Sequence, residues 1–117
     1  HFPPYVEDNS YLEIRRSWCS LFDQYHVDLV LSGHVHQYFR SYPINNGEVV
    51  TDAKNGTIYL SSVVVEPRKP EPPSEKYNEV YANKGGLFQV IRIDNNTLDF
   101  ISKRFDGTII DQFSLKK

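Results

Sequence analysis

Two histidines one residue apart, His34 and His36, lie in the segment GHVHQYFRSYP (33–43), and a third, His1, opens the string HFPPY. Imidazole is the commonest side-chain metal ligand near neutral pH, and its neutral form adds no charge to a cation site. On extended backbone, residues i and i+2 face the same side, so His34 and His36 are expected to present both rings to one spot. Gly33, directly before them, removes a side chain and permits the backbone angles of a tight turn. His1 stands in a loop stiffened by Pro3 and Pro4, and a strand-helix-strand path can return it to the same sheet edge. Three converging imidazoles make metal chemistry the first expectation.

The elements that must carry these residues follow from the pattern around them. Ser10 with Glu13 reads as a capping box, and Leu12, Trp18, Cys19, Leu21, Phe22 and Tyr25 give an apolar stripe near helical spacing, leaving Arg15, Arg16 and Asp23 for water. Val27 to Leu31 is a short, mostly apolar run ending at Ser32-Gly33, expected as a strand covered on both faces. The histidine pair then falls just past the C-terminal end of a strand, where open α/β sheets place their ligands. Asn45-Asn46-Gly47 and Lys54-Asn55-Gly56 are turn signals, and Thr57 to Val65 reads as another strand. Glu66 to Pro73 holds four prolines in eight residues and reads as a surface loop, followed through Lys84 by irregular chain or a short helix. Leu87 to Ile93, Leu98 to Arg104 and Ile109 to Leu115, separated by Asn95-Asn96 and Asp106-Gly107, read as a three-strand antiparallel meander. The aspartates there, Asp94, Asp106 and Asp111, are assigned structural roles, and Asp28 is expected to pair with a backbone group or a cation.

Composition bounds the function. The 117 residues are 39% apolar and 14% aromatic, enough for one core, and the formal charge of −2 comes from interspersed acidic and basic residues. Neither nucleic acid nor a membrane surface is expected as a partner, since neither finds a basic face here. Cys19 has no cysteine partner and reads as a buried thiol, and His26 as a loop histidine. No apolar run approaches a membrane span and no signal-peptide pattern is present. A chain beginning with His is expected to be part of something larger. Asn55-Gly56-Thr57 and Asn95-Asn96-Thr97 match a glycosylation acceptor pattern that turn chemistry explains equally well.

HFPPY, then VDLVLSGHVHQYFRSYPI, then NGTIYL, and finally FDGTIIDQFSL together resemble the C-terminal half of calcineurin-like metallophosphoesterases, with the Tyr and Arg after GHVH resembling the purple acid phosphatase branch. The resemblance covers most of the chain, although only HxP and GHVHxYxRSxP are specific. It implies an α/β chain that forms the C-terminal half of a four-layer α/β/β/α sandwich ending in the meander, with residues 1–117 as one part of a single domain. It implies two metal ions, iron with zinc, manganese or a second iron, His1 and His34 on one and His36 on the other. The other ligands would come from the N-terminal half of the same domain, the partner this chain then needs. Phosphate esters would be the substrates, hydrolysed by attack of a metal-bound hydroxide, and this segment by itself would be inactive. Tyr5, Tyr38 and Arg40 are candidates for contact with substrate, although the Tyr and Arg at this place more often brace the loop and such tyrosines more often pack with the hydroxyl at a wet edge. A secreted, periplasmic, lysosomal or vacuolar location rests on the resemblance alone.

Two departures stand out. Phe39 occupies the place of a family glutamate, and no histidine follows His1 at the distance where relatives carry one that contacts phosphate or protonates the leaving group; Ser10, Tyr11 and Leu12 stand there instead. Two other readings stay open: a non-catalytic metal-binding or interaction module, and a mononuclear zinc hydrolase using His1, His34 and His36 around an open water position.

Overall fold

A computed structural model describes residues 1–7, 11–62 and 73–117. Strands β1 (Leu29–Ser32), β2 (Tyr38–Ser41), β5 (Ile58–Ser61) and β6 (Asn78–Ala82) form a mixed sheet in the order β1-β5-β2-β6, with β1 parallel to β5 and the other pairs antiparallel. A small hairpin, β3 (Ile44–Asn45) and β4 (Glu48–Val49), turns on Asn46 and Gly47, both at positive φ. The chain ends in the expected meander, β7 (Leu87–Asp94), β8 (Thr97–Arg104) and β9 (Ile109–Lys116). The architecture is mixed α/β.

Alternation along β2 and β5 builds two cores on opposite faces of the mixed sheet. Phe39 and Tyr59 point to one side and pack with Tyr5, Val6, Cys19, Ile44 and Tyr77, under Phe22 of the helical segment. Tyr38 and Leu60 point to the other and pack with Leu87 and Phe100 of the meander. A period of two thus sandwiches the sheet between helix and meander.

The helical segment runs as α1 (Leu12–Ile14), a π-helical turn (Arg15–Cys19) and α2 (Ser20–Gln24). Its expected capping residue Ser10 lies outside the described residues, and Tyr11 enters the helix in a left-handed conformation. The π turn inserts extra arc and rotates the downstream helical turns, so the apolar stripe is only partly buried. Cys19 is enclosed, while Trp18 is 58% exposed, Tyr25 71%, and Leu12 and Leu21 also face outward. Arg15, expected in water, sits over the rings of Tyr5 (4.7 Å) and Tyr77 (5.4 Å) and donates to the carbonyls of Pro4 and Glu7. It fastens the N-terminal loop to the helix.

Three further expectations change. β1 is not covered on both faces: it pairs only with β5 among the described residues, and Leu31 is 57% exposed. Residues 78–82 form β6 and not helix or irregular chain, because alternate side chains Val80 and Ala82 turn inward within a polar-looking edge strand. Strand β2 is buried at all four positions although it contains Arg40. The strand that follows Gly56 is described from Ile58 to Ser61, and the expectation for 63–65, like that for 66–72, lies outside the described residues. Asp28 pairs with Lys117, 2.9 Å away. Among the described residues no helix is long and apolar enough to cross a membrane.

Gly56 is in extended backbone, so its lack of a side chain serves close approach and not a turn. A Cβ there would lie 2.7 Å from Val50 Cγ2 and 2.9 Å from the Ile44 nitrogen. Gly56→Ala is therefore expected to lower stability by about 1–3 kcal/mol, as overpacking does, and thermal unfolding will show it as a reduced Tm.

Burial lifts the phenols of Tyr5, Tyr38 and Tyr59 above the ordinary tyrosine range; the bond to Asp111 adds to this at Tyr38, and Cys19 adds at Tyr5 and Tyr59. The folded state therefore favours the neutral phenols. Their contribution is complete below the ordinary value of about 10 and is lost as pH rises above it. Urea midpoints are expected to fall above pH 10, with the part of the tyrosinate absorbance that belongs to these three buried phenols rising together with unfolding.

Candidate metal site

The site grows from the end of β1. After Ser32 the chain turns through residues 33–37 into β2, and the N-terminal loop is laid against this turn by the Gly33 N–H, which donates to the His1 carbonyl at 3.0 Å. Ser61 Oγ donates to the Gly33 carbonyl at 3.1 Å, tying the turn to β5. The rings of His1 and His34 consequently meet, with centroids 5.1 Å apart and planes at 76°. A Cβ at Gly33 would lie 3.7 Å from the His1 ring, an ordinary contact.

The backbone of the pair is not extended, as the sequence had implied. His34 has φ 70° and His36 φ 52°, so the left-handed angles expected of Gly33 fall on the histidines themselves. The Val35 N–H donates to the Gly33 carbonyl at 2.8 Å, closing a γ-turn about His34. Each such non-glycine residue costs on the order of 1–3 kcal/mol and persists only where its surroundings hold it.

Around His34 the walls are aromatic. Phe2 stands edge-on at 4.3 Å, and Tyr11 stands at 6.1 Å from His34 while stacking on Phe2 at 5.3 Å. An apolar shell lowers the dielectric near a bound cation and limits water access. Sequence reasoning missed Phe2, although its place beside His1 was a signal. His36 contributes a different observation: its Nδ1 is buried without a hydrogen-bond partner among the described residues. A buried ring nitrogen left unpaired is costly, and a cation or a donor from additional polypeptide would satisfy the ring. The donor set is therefore chemically suited to a metal, with a neighbouring pair and one orphaned imidazole. Among the described residues, however, no group of three or more His, Cys, Asp or Glu side chains is arranged to hold an ion. The three imidazoles do not close a site by themselves.

Tyr5, Tyr38 and Arg40 are all buried. Tyr5 is enclosed between Tyr59 and Tyr77, at 4.8 and 5.0 Å. Tyr38 Oη donates to Asp111 Oδ2 at 2.6 Å. Arg40 grips the same carboxylate with Nε (2.6 Å) and Nη2 (3.0 Å), donates through Nη1 to Glu79, and lies 4.8 Å from the Phe113 ring centre. Their partners within the chain explain their burial, as bracing residues would have it. Asp111 was legible only as a charge at an inward position of an alternating strand, in line with Phe113 and Leu115. His26, as expected, belongs to a loop, and it borders a separate cleft of about 550 Å³ with Asp28, Lys54, Leu98 and Lys117; none of the three candidate ligands lines that cleft.

With this geometry established, comparison with solved structures is informative. The chain aligns with a purple acid phosphatase from yellow lupin (Lupinus luteus) seeds at a TM-score of 0.74, with 20% identity, over 96% of its own length and 23% of that chain. The fold is similar to that of a purple acid phosphatase. Two uncharacterized proteins of Mycobacterium tuberculosis, from strains CDC 1551 and H37Rv, are each 54% identical to it over 43 residues, which is 37% of this chain and 8% of theirs. No protein-family model matches the sequence.

Proposed function

We propose that this chain contributes His1, His34 and His36 to the binuclear metal centre of a phosphoesterase of acid phosphatase type that hydrolyses phosphate monoesters. The observation that carries the reading is the meeting of His1 and His34 at 5.1 Å across 33 positions of sequence, inside a fold similar to a purple acid phosphatase. Under it, His1 and His34 hold one ion and His36 the other. Iron with zinc, manganese or a second iron follows from the resemblance. When bound, such a pair of cations orients the phosphate, activates water and offsets charge on the entering and leaving oxygens.

The remaining donors, carboxylates above all, would come from polypeptide N-terminal to this segment. The outer edge of β1, unpaired among the described residues, and the exposed Leu31 support this, since an unpaired strand edge is a template for a further strand. This chain's own residues set the entrance: Phe2 and Tyr11 flank His34, and Tyr11 stands near the place where relatives carry a proton-donating histidine. Burial raises the Tyr11 phenol, so it is suited to hydrogen-bond a phosphate oxygen while protonated more than to surrender its proton.

The test is metal analysis together with p-nitrophenyl phosphate turnover in the longest native chain that contains this segment. Two ions per chain and hydrolysis that disappears with chelation are expected. Full turnover without metal overturns the reading. One observation favours a non-catalytic module instead, the lack of a closed ligand group among the described residues, and metal uptake without any turnover would decide for it. One ion per chain with turnover would point to a mononuclear zinc hydrolase.

A further inference from the structure

The loop that carries His34 and His36 is five residues long, and what holds its far end is a carboxylate distant in sequence. At the near end, Gly33 is fixed by the His1 carbonyl and by Ser61 Oγ. At the far end, Gln37 and Tyr38 are buried, and the Tyr38 hydroxyl and both arms of the Arg40 fork converge on Asp111 in β9. Asp111 thus accepts three bonds through two oxygens, in a pocket where its side chain is 4% exposed and that of Arg40 is 8%. Glu79 takes the remaining arm of Arg40 from β6. One network therefore joins β2, β6 and β9, and its two donors of β2 are the second and fourth residues after His36.

We infer that Asp111 is a positioning residue for the histidine loop: by clamping Tyr38 and Arg40 against the meander it keeps His34 and His36 in their left-handed conformations. The γ-turn at His34 and the left-handed His36 are conformations that a free loop would leave. A loop of five residues pinned at both ends has few alternatives, and pinned at one end it has many. Charge-assisted, bidentate bonds are the strong ones among side-chain hydrogen bonds, and burial strengthens them further. Outer groups of this kind orient metal-binding imidazoles without touching the metal. The assignment rests on the proposed role of the loop only where metal affinity is concerned; the clamping itself is independent of metal.

Nuclear magnetic resonance on the longest native chain that contains this segment, with Asp111→Asn, Tyr38→Phe or Leu98→Ala introduced separately, tests it. Leu98→Ala, in a residue of β8 paired with Leu115, weakens the same apolar core but removes none of the clamp's hydrogen bonds, and controls for lost stability. In Asp111→Asn, exchange protection at the Gly33 and Val35 amides is expected to fall at least about tenfold relative to β8, and the proximity signal between the His1 and His34 rings to fade, as ordering of a short segment is lost. Zn²⁺ affinity, read from the same ring resonances, should weaken by about 10–100-fold. Tyr38→Phe, which leaves the Arg40–Asp111 pair in place, should change the same signals less, and carries the test if Asp111→Asn does not fold. Unchanged loop protection in the clamp variants, or equal loosening in Leu98→Ala, overturns the inference. Absence of any Zn²⁺ uptake by the unmodified chain counts against the metal reading, while the exchange data still decide the clamp.

Discussion

Replacing Arg40 with alanine is expected to lower the free energy of unfolding by about 3–5 kcal/mol, because it leaves the buried carboxylate of Asp111 without its cation. The favourable energy of the pair itself is smaller, since both groups lost water to form it. Asp111 retains only the Tyr38 hydroxyl after the substitution, and the space over Phe113 empties. Glu79, whose side chain is 36% exposed, can return to water. The damage therefore concentrates on Asp111. Arg40→Lys should fall between wild type and alanine, as it keeps the charge and loses the planar fork and the stacking on Phe113. Arg40→Met combined with Asp111→Leu should cost clearly less than the two single changes added together, because no charge is stranded. Urea denaturation with an unchanged slope measures all five variants, the two single changes included.

His34→Ala in the native chain that contains this segment is expected to reduce phosphate monoester turnover by about a thousandfold or more, and to release bound metal with it. The magnitude follows from the several kcal/mol that a metal contributes to a phosphoryl transition state, at about 1.4 kcal/mol per factor of ten. His36→Ala should do the same through the second ion. Neither change removes a core side chain, since His34 is exposed and His36 only half-buried, so the folded fraction should stay near that of wild type. Removing His34 also relieves a residue with φ 70°, although alanine is itself strained there. Circular dichroism on the same samples separates lost chemistry from lost fold. Activity that survives while metal is lost would count against metal-dependent hydrolysis.

Much of this fold was legible in the sequence because its local signals agree. The meander declares itself through Asn95-Asn96 and Asp106-Gly107 between alternating runs, and the structure places all three strands there. The helical segment and β1 were also visible, with boundaries shifted by one or two residues. Strands β2 and β6 were not, for physical reasons: the inward residues of β2 include Tyr38 and Arg40, whose burial depends on a carboxylate about 70 positions away, and β6 is an edge strand whose inward Val80 and Ala82 are set among polar residues. No local pattern reports such a pairing. The π turn in the helix was equally hidden, and with it the exposure of Trp18 and Tyr25. At the site, the imidazoles were found by type and spacing, whereas their left-handed backbone was not, since left-handed angles on non-glycine residues are imposed by tertiary contacts.

The joint role of His1 and His34 meets its most direct test in a Zn²⁺ titration of the longest native chain that contains this segment, followed through the ring resonances of His1, His34 and His36, with His34→Ala alongside. If the pair at 5.1 Å holds one ion, the His1 and His34 rings respond together with a single midpoint, and His1 loses that response in His34→Ala. A His1 response that persists unchanged without His34, or a His34 ring that stays silent while His1 binds, contradicts a shared site.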